Sequence, residues 1–295
     1  MDYKAKNFPL WTALITPFND SKEVDYKAFT QLLKRQEKAQ NGILILGSTG
    51  EGLALNLEEK KQIVQTAAKL NLGVPLMIGV GGFNLEECKD WILFCQDLNI
   101  NAFLLVTPLY AKPGPKGQVE WFKHLLDTSK LPCMLYNVPS RSGVEMHLDV
   151  LKELADHQNF WALKEASGCV EQFKAFAQYK DKIELFSGDD PLTHAFCQEG
   201  GVGLVSVMSN IWPESSLKYV HYCLNNQPEK IYPLWTSIAD SLFEASNPIP
   251  TKMLLKELQI IPSATLREPL TTNELPILKK QLQANKDVIN WTKEN

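Results

Sequence analysis

Eight short apolar segments, each of five or six residues, recur through the first three quarters of this 295-residue sequence. They occupy residues 13–17, 42–47, 75–80, 102–107, 133–138, 161–166, 183–187 and 203–207. Most are continuous rather than alternating, which is typical of strands covered on both faces. Helical patterns lie between most of them, at residues 25–40, 57–70, 85–97, 117–128, 148–157, 169–179 and 191–199. Eight such units predict an α/β fold, a closed (β/α)8 TIM barrel, better than an open doubly wound sheet of about five or six strands.

The strand pattern stops after residue 207, and only helical patterns follow, at residues 213–225, 231–245, 250–258 and 272–291. The periodicity is interrupted at residues 225–228 (NNQP), a polar, proline-containing stretch typical of a linker. The sequence therefore predicts a catalytic barrel over residues 1–227 and a C-terminal helical appendage over residues 228–295.

The composition favours a folded protein that acts on small molecules. With 30 basic and 34 acidic side chains and a net charge of -4, it offers no basic footprint for nucleic acid or an anionic membrane surface. The six cysteines form no C-x-x-C pair and the five histidines show no H-x-x-x-H spacing, so we expect reduced thiols and no metal site. No leader-like segment or membrane-length apolar run is present, which favours a cytoplasmic location.

The carboxyl ends of the strands are where a barrel of this kind places its active site. The second strand ends in residues 47–52 (GSTGEG), whose exposed backbone N–H groups and two hydroxyls would suit a carboxylate or phosphate. An ordinary glycine-rich turn is the alternative. The loop lacks the G-K-[ST] of a P-loop.

Lys164 and Glu165 are adjacent opposite charges at the end of the sixth strand. Because side chains alternate along a strand, one of the two must point into the barrel. A lysine confined there loses solvation of its ammonium form, which lowers its pKa and makes its amine available for a Schiff base. An ion pair with a neighbouring carboxylate is the alternative interpretation.

Two further candidates lie at the end of the fifth strand and just after it. Tyr136 lies at a position from which it could approach Lys164, because adjacent strands are about 5 Å apart. A half-buried aromatic with its hydroxyl hydrogen-bonded elsewhere is the alternative for Tyr136. Arg141 follows in a polar loop and could clamp a carboxylate, although most loop arginines are only solvated. Asp189 and Asp190 close the seventh strand; a glycosidase-like carboxylate pair with Glu51 or Glu165 is one interpretation, and helix capping is the favoured one.

Three of these segments together resemble a known family, the pyruvate-dependent class I aldolases typified by dihydrodipicolinate synthase and N-acetylneuraminate lyase. Residues 47–51 (GSTGE) resemble its G-[ST]-T-G-E loop, residues 136–139 (YNVP) its Y-N-x-P segment, and residues 163–168 (LKEASG) its Schiff-base strand. The resemblance covers essentially the whole chain.

The resemblance implies that Lys164 forms a Schiff base with pyruvate, so that no metal or separate cofactor is required. It implies that the region of Ser48 and Thr49 holds the pyruvate carboxylate, and that Tyr136 relays protons through Ser48 to Tyr110. It further implies that Tyr110 crosses from a neighbouring subunit, in a homotetramer built as a dimer of dimers.

Arg141 decides the branch within the family. Residues 137–143 (NVPSRSG) resemble the synthases, whereas the sialic-acid lyases usually carry an apolar residue at this place. The resemblance therefore implies condensation of pyruvate with L-aspartate 4-semialdehyde, with Arg141 holding the semialdehyde carboxylate, on the diaminopimelate route to lysine. Gly188 and Val205 are implied to line the pyruvate pocket. A sialic-acid or keto-sugar-acid lyase with the same imine, and a non-catalytic pyruvate-binding relative, are the alternatives.

Overall fold

A computed structural model describes residues 4–227 and 231–294 of the chain. Eight parallel strands form a closed barrel in chain order, with the first strand pairing with the eighth. The strands are β1 Leu10–Ala13, β2 Gly42–Ile45, β3 Leu76–Val80, β4 Ala102–Val106, β5 Cys133–Asn137, β6 Phe160–Glu165, β7 Glu184–Ser187 and β8 Gly203–Ser206. The predicted (β/α)8 barrel is confirmed.

Apart from one short addition, helices follow the strands in the order that the apolar spacing predicts. They are α1 Tyr26–Lys38, α2 Leu57–Lys69, α3 Leu85–Gln96, α4 Pro115–Thr128, α5 Pro139–Ser142, α6 Leu148–Leu154, α7 Val170–Ala177, α8 Thr193–Gln198 and α9 Pro213–Leu224. The short α5 is the addition that the spacing does not predict. Helix α2 begins at a capping box formed by Asn56 and Glu59. The Asn56 side chain accepts a hydrogen bond from the Glu59 backbone amide, and the Glu59 carboxylate accepts one from the Asn56 backbone amide. Two amides that would otherwise lack a partner are thereby satisfied.

The first strand lies earlier in the chain than its apolar pattern indicates. It covers Leu10–Ala13, whereas the apolar run predicts residues 13–17. The backbone shows the reason. Leu14 still donates its amide to Leu44 on β2, but the Ile15 amide turns to the side-chain oxygen of Asn210, so the ladder ends there. The apolar residues beyond Ala13 are buried without being part of the strand.

The barrel interior and the barrel–helix interface form two separate apolar clusters. Trp11, Met134 and Phe186 belong to the interior cluster, while Leu163 belongs to the cluster beneath the helices, as strand alternation requires. At the amino end of the barrel, a Glu184 carboxylate oxygen accepts from the Trp161 indole at 2.7 Å and from the Ala5 amide at 3.0 Å. Glu184 thereby attaches the N-terminal segment to the end of the barrel opposite the strand carboxyl termini.

Three helices lie in the C-terminal region, α10 Ile231–Ser241, α11 Ile249–Glu257 and α12 Lys279–Glu294. The Trp235 ring stacks on that of Tyr219 on α9, with ring centroids 4.7 Å apart, and contacts the Trp291 ring edge-on, with centroids 5.0 Å apart. These aromatic contacts join the C-terminal region to the barrel. The expectation of a helix from residue 272 is wrong, because a single 3₁₀ turn, Thr272–Glu274, precedes a non-helical stretch that contains Pro276. The proposed boundary adjoins residues 228–230, which lie outside the described residues, and stays a prediction.

Candidate active site

Lys164 points into the barrel from the end of β6. Its side chain is 5% exposed, and its ammonium nitrogen lies 4.2 Å from the ring centroid of Tyr136. The two residues are register partners on β6 and β5. Within residues 4–227 and 231–294, no carboxylate forms an ion pair with Lys164, in contrast to the ion-pair alternative. Lys164 is thus a confined amine beside a phenol.

Gly188 makes room for the Lys164 side chain. A Cβ atom at this position would lie 2.7 Å from Lys164 Cε and 2.7 Å from the Cβ of Ala166. Real Cβ contacts are not that close, so any larger residue at the end of β7 would displace the lysine. The structure therefore brings Gly188, Tyr136 and Lys164 together as the sequence analysis expects.

Glu165 points away from the barrel interior and is fully buried. Its carboxylate accepts from the Asn137 side-chain amide at 2.7 Å and from the Ser167 backbone amide at 2.8 Å. Burial raises the pKa of Glu165 to about 7, and these hydrogen bonds oppose that shift. Asn137 and Glu165 are register partners one position beyond Tyr136 and Lys164, so they fix the two strand ends from outside.

Neither aspartate that closes β7 caps the helical segments that directly follow it through its side chain, and that expectation is wrong. Asp190 is buried and accepts from the Ser206 hydroxyl and, at 2.8 Å, from the Val207 amide. Asp189 accepts from the Gly168 amide at 3.0 Å. Desolvation raises the pKa of both carboxyls, that of Asp190 to about 6, and the nearby positive charge of Lys164 opposes the shift.

Residues 47–52 after β2, here called the β2 loop, carry Ser48 and Thr49. Thr49 is buried, and its hydroxyl accepts from the side-chain amide of Asn247 at 2.8 Å. Ser48 lines a cavity of about 950 Å³ together with Tyr136 and Arg141. The loop thus places its hydroxyls at the carboxyl end of the barrel, where the sequence predicts an anion site.

The expected loop position of Arg141 is wrong, because Arg141 lies on the short helix α5, which begins at Pro139, in the wall of the same cavity. Its Nη2 donates to the backbone carbonyl of Asn247 at 3.1 Å, which leaves the rest of the exposed guanidinium available to a carboxylate. Val205 is buried on β8 within the interior cluster and pairs in register with Trp11.

Tyr110 stands apart from the other candidates. Its side chain is 86% exposed, and its backbone φ of 66° is a left-handed conformation that is uncommon for tyrosine. Its nearest aromatic neighbour is Phe83, with ring centroids 6.4 Å apart. Among the described residues, no hydrogen bond joins the hydroxyls of Ser48, Tyr136 and Tyr110, so one chain does not assemble the expected relay.

Sequence reasoning missed Asn247 and Lys252, both in the C-terminal region. Asn247 contacts Thr49 and Arg141, and the buried ammonium of Lys252 pairs with Glu51 of the β2 loop. An Asn-Pro dipeptide and a lysine in a helical pattern have many structural explanations, so neither indicated a functional residue.

Glu51, Glu165 and Asp190 all accept hydrogen bonds from donors within the protein, which argues against a glycosidase carboxylate pair.

The described part of the chain contains neither a metal-binding cluster nor a membrane-spanning helix. Residues 4–227 and 231–294 hold no cluster of three or more His, Cys, Asp or Glu side chains arranged to bind a metal ion. In the same part of the chain, no helix has the length and apolar character needed to cross a membrane.

Comparison with known proteins shows the relationship directly. The model of the dihydrodipicolinate synthetase family matches residues 8–288. A 4-hydroxy-tetrahydrodipicolinate synthase of Francisella philomiragia subsp. philomiragia is 46% identical over 288 residues, with 97% of each chain covered. One of Wolbachia pipientis wMel is 42% identical over 283 residues, with 96% of each covered.

Solved structures give the same result. The 4-hydroxy-tetrahydrodipicolinate synthase of Methylacidiphilum fumariolicum SolV superposes with a TM-score of 0.91 at 29% identity, covering 97% of this chain and 98% of that one. The chloride-inhibited dihydrodipicolinate synthase of Acinetobacter baumannii, complexed with pyruvate, gives a TM-score of 0.88 at 30% identity, covering 96% and 99%. The chain therefore belongs to the dihydrodipicolinate synthetase family.

Proposed function

We propose that this protein is a lyase that condenses pyruvate with L-aspartate 4-semialdehyde to 4-hydroxy-tetrahydrodipicolinate, on the diaminopimelate route to lysine. The observation that carries the proposal is the setting of Lys164. It is a buried amine without an ion-pair partner among the described residues, next to a tyrosine ring and at the end of a barrel strand. Curated relatives named for this activity, at 36–46% identity, support it.

The chemistry begins at Lys164. Its Nζ forms a C=N bond with the ketone carbon of pyruvate and water leaves. The protonated imine then accepts the electron pair released when the pyruvate methyl group loses a proton. The resulting enamine carbon bonds to the aldehyde carbon of the semialdehyde, whose oxygen takes up a proton. Attack by the substrate's own amino group on the imine carbon closes the ring and frees Lys164. The scheme needs no metal or organic cofactor.

The remaining residues bind the substrates and move protons. Ser48 and Thr49 hold the pyruvate carboxylate, and Gly188 and Val205 line its pocket. Arg141 holds the semialdehyde carboxylate at the cavity wall, where a guanidinium can bind it through two parallel hydrogen bonds. Tyr136, beside the amine, acts as general acid and base, a role worth about 10²- to 10⁴-fold in rate.

The relay is completed by a second copy of the chain in this proposal. Tyr110 forms an exposed aromatic patch with Phe83, which is 63% exposed and whose ring centroid lies 6.4 Å from that of Tyr110. Patches of this kind mark interaction surfaces. A partner subunit that covers the patch brings its own Tyr110 to the site, and a dimer of dimers is the expected assembly. Sedimentation should then show no monomer at working concentrations, and Tyr110→Phe should lower turnover while pyruvate binding persists.

The test is borohydride reduction in the presence of pyruvate, followed by peptide mass analysis, with a parallel assay using aspartate semialdehyde. We expect a reduced pyruvyl adduct on Lys164 and turnover of the semialdehyde. An adduct without turnover would move the assignment to a sugar-acid lyase of the same family. Lys164→Arg, which keeps the charge but forms no stable imine, is the matched control and should give no adduct.

A further inference from the structure

The β2 loop is held by an ion pair that is buried on both sides. Lys252 on α11 is fully buried, and its ammonium group donates to a carboxylate oxygen of Glu51. The same ammonium donates to the Thr265 carbonyl at 3.0 Å and lies 4.0 Å from the Phe18 ring centroid. The other Glu51 oxygen accepts from the Arg267 backbone amide at 2.9 Å. The C-terminal region thus occupies both oxygens of one residue in the loop.

The backbone of the β2 loop adopts a conformation that contacts with neighbouring residues must stabilise. Glu51 has a φ of 52°, in the left-handed region where a side chain with a Cβ is disfavoured, and such residues persist where their surroundings fix them. From the barrel side, Thr16 donates to the Gly50 carbonyl at 2.7 Å. From the C-terminal side, the attachments are the Lys252 ion pair, the Arg267 amide and the Asn247–Thr49 hydrogen bond.

A buried ion pair contributes little to the free energy of folding compared with well-packed apolar residues of similar volume, because removing both charges from water is costly. The Lys252–Glu51 pair does favour a single geometry, because moving either side chain away from the other would leave two buried charges unpaired. Glu51 follows Ser48 and Thr49 by only two or three residues, so the fixed geometry is that of the segment carrying both hydroxyls.

We propose that Lys252 is a positioning residue for the pyruvate step, and that through Glu51 it holds the β2 loop in the conformation in which Ser48 and Thr49 bind the pyruvate carboxylate. The inference rests on the proposed function, because it takes pyruvate as the ligand of this loop. It assigns the C-terminal region a part in the active site rather than a covering role only.

The test compares Lys252→Met with the double variant Glu51→Gln/Lys252→Met, which removes both charges. We expect Lys252→Met to raise the KM for pyruvate by about tenfold to a hundredfold, because small misplacements of binding groups are costly. The KM for the semialdehyde, bound by Arg141, should change by less than about threefold. The double variant should recover thermal stability without recovering the pyruvate KM.

Glu184→Gln is the matched control for the glutamate substitution in the double variant. Glu184 also accepts two hydrogen bonds, one from a backbone amide, but at the opposite end of the barrel. The Glu184→Gln variant should leave the KM for pyruvate and the KM for the semialdehyde unchanged. Hydrogen exchange of the peptide over residues 47–56 should accelerate in Lys252→Met and not in Glu184→Gln.

An unchanged pyruvate KM and unchanged loop exchange in folded Lys252→Met would overturn the inference, as would full kinetic recovery in the double variant. Equal rises in both KM values would indicate a merely structural role and overturn it too. Absence of a pyruvate adduct on the wild-type protein would overturn the proposed function instead, and hydrogen exchange would still decide whether Lys252 holds the loop.

Discussion

Tyr136 and Lys164 face each other across β5 and β6 as register partners, with the lysine nitrogen 4.2 Å from the centroid of the phenol ring. The pairing follows from the register of two parallel strands rather than from a flexible loop, so its geometry is fixed by backbone hydrogen bonds. One position further along, Asn137 and Glu165 form a second pair on the outer face of the same strands. In the proposed mechanism the inner pair carries out the chemistry, and the outer pair fixes the ends of the two strands.

Gly188→Ala should displace Lys164 and slow imine formation. The added Cβ would meet Lys164 Cε at 2.7 Å, so the side chain must move, and a misplacement of about 1 Å can cost around 10²-fold in rate. The rate of borohydride trapping with pyruvate measures the effect. Gly114→Ala is the control, because its Cβ would meet no atom within 4 Å. Equal rates for both variants would contradict the role given to Gly188.

Tyr136→Phe should lower kcat by about 10²- to 10⁴-fold, the range for loss of a general acid or base. The ring beside Lys164 is retained, so packing around the amine and pyruvate binding should persist. Steady-state kinetics together with adduct mass analysis separate these effects. A variant with wild-type kcat would remove the Tyr136 hydroxyl from the mechanism.

Arg141→Ala should weaken binding of the semialdehyde. Hydrogen bonds to a charged group contribute about 1.5–3 kcal/mol, which corresponds to roughly a 10- to 150-fold rise in KM. Borohydride trapping of pyruvate should be unaffected, since that step precedes semialdehyde binding. Arg141→Lys restores the charge but not the paired hydrogen bonds and should recover only part of the affinity. An unchanged KM in Arg141→Ala would exclude the carboxylate clamp.

Glu165 should make the protein less stable as the pH rises. Burial raises its pKa from 4.5 to about 7, so the folded state binds this proton more tightly than the unfolded state does. Its contribution is fully present below pH 4.5 and is lost as the pH rises through 7, a difference of roughly 3 kcal/mol. Buried Asp190, whose pKa is raised to about 6, acts in the same direction.

Urea unfolding of Glu165→Gln between pH 5 and 8 tests this expectation. The variant should show a shallower decline in the free energy of unfolding than the wild type, while Glu120→Gln, at an exposed position, should follow the wild type. If the Glu165→Gln profile coincided with the wild-type profile, the Glu165 carboxyl would have the same pKa in the folded and unfolded states, and the expectation would be wrong.

Local sequence patterns were enough to predict the barrel and to indicate where its candidate active site lies. Continuous apolar segments report burial on both strand faces, and eight of them alternating with helices leave few other topologies. The same rule identified strand ends as the place to look, which led to Lys164, Tyr136 and the β2 loop. The barrel prediction succeeds because it depends on local periodicity, whereas the roles of Lys164, Tyr136 and the β2 loop stay predictions that rest on the chemistry of neighbouring residues.

The contacts between distant parts of the chain became visible only in the folded structure. The pairing of Lys252 with Glu51 joins residues 201 positions apart, and Asn247 contacts Thr49 across 198 positions. No local pattern encodes such contacts, because each residue alone is compatible with an ordinary surface position. The end of β1 was mispredicted for a similar reason, since Asn210 ends that strand by accepting the Ile15 amide from 195 positions away. Local periodicity specifies which segments are buried, whereas packing determines which buried groups meet.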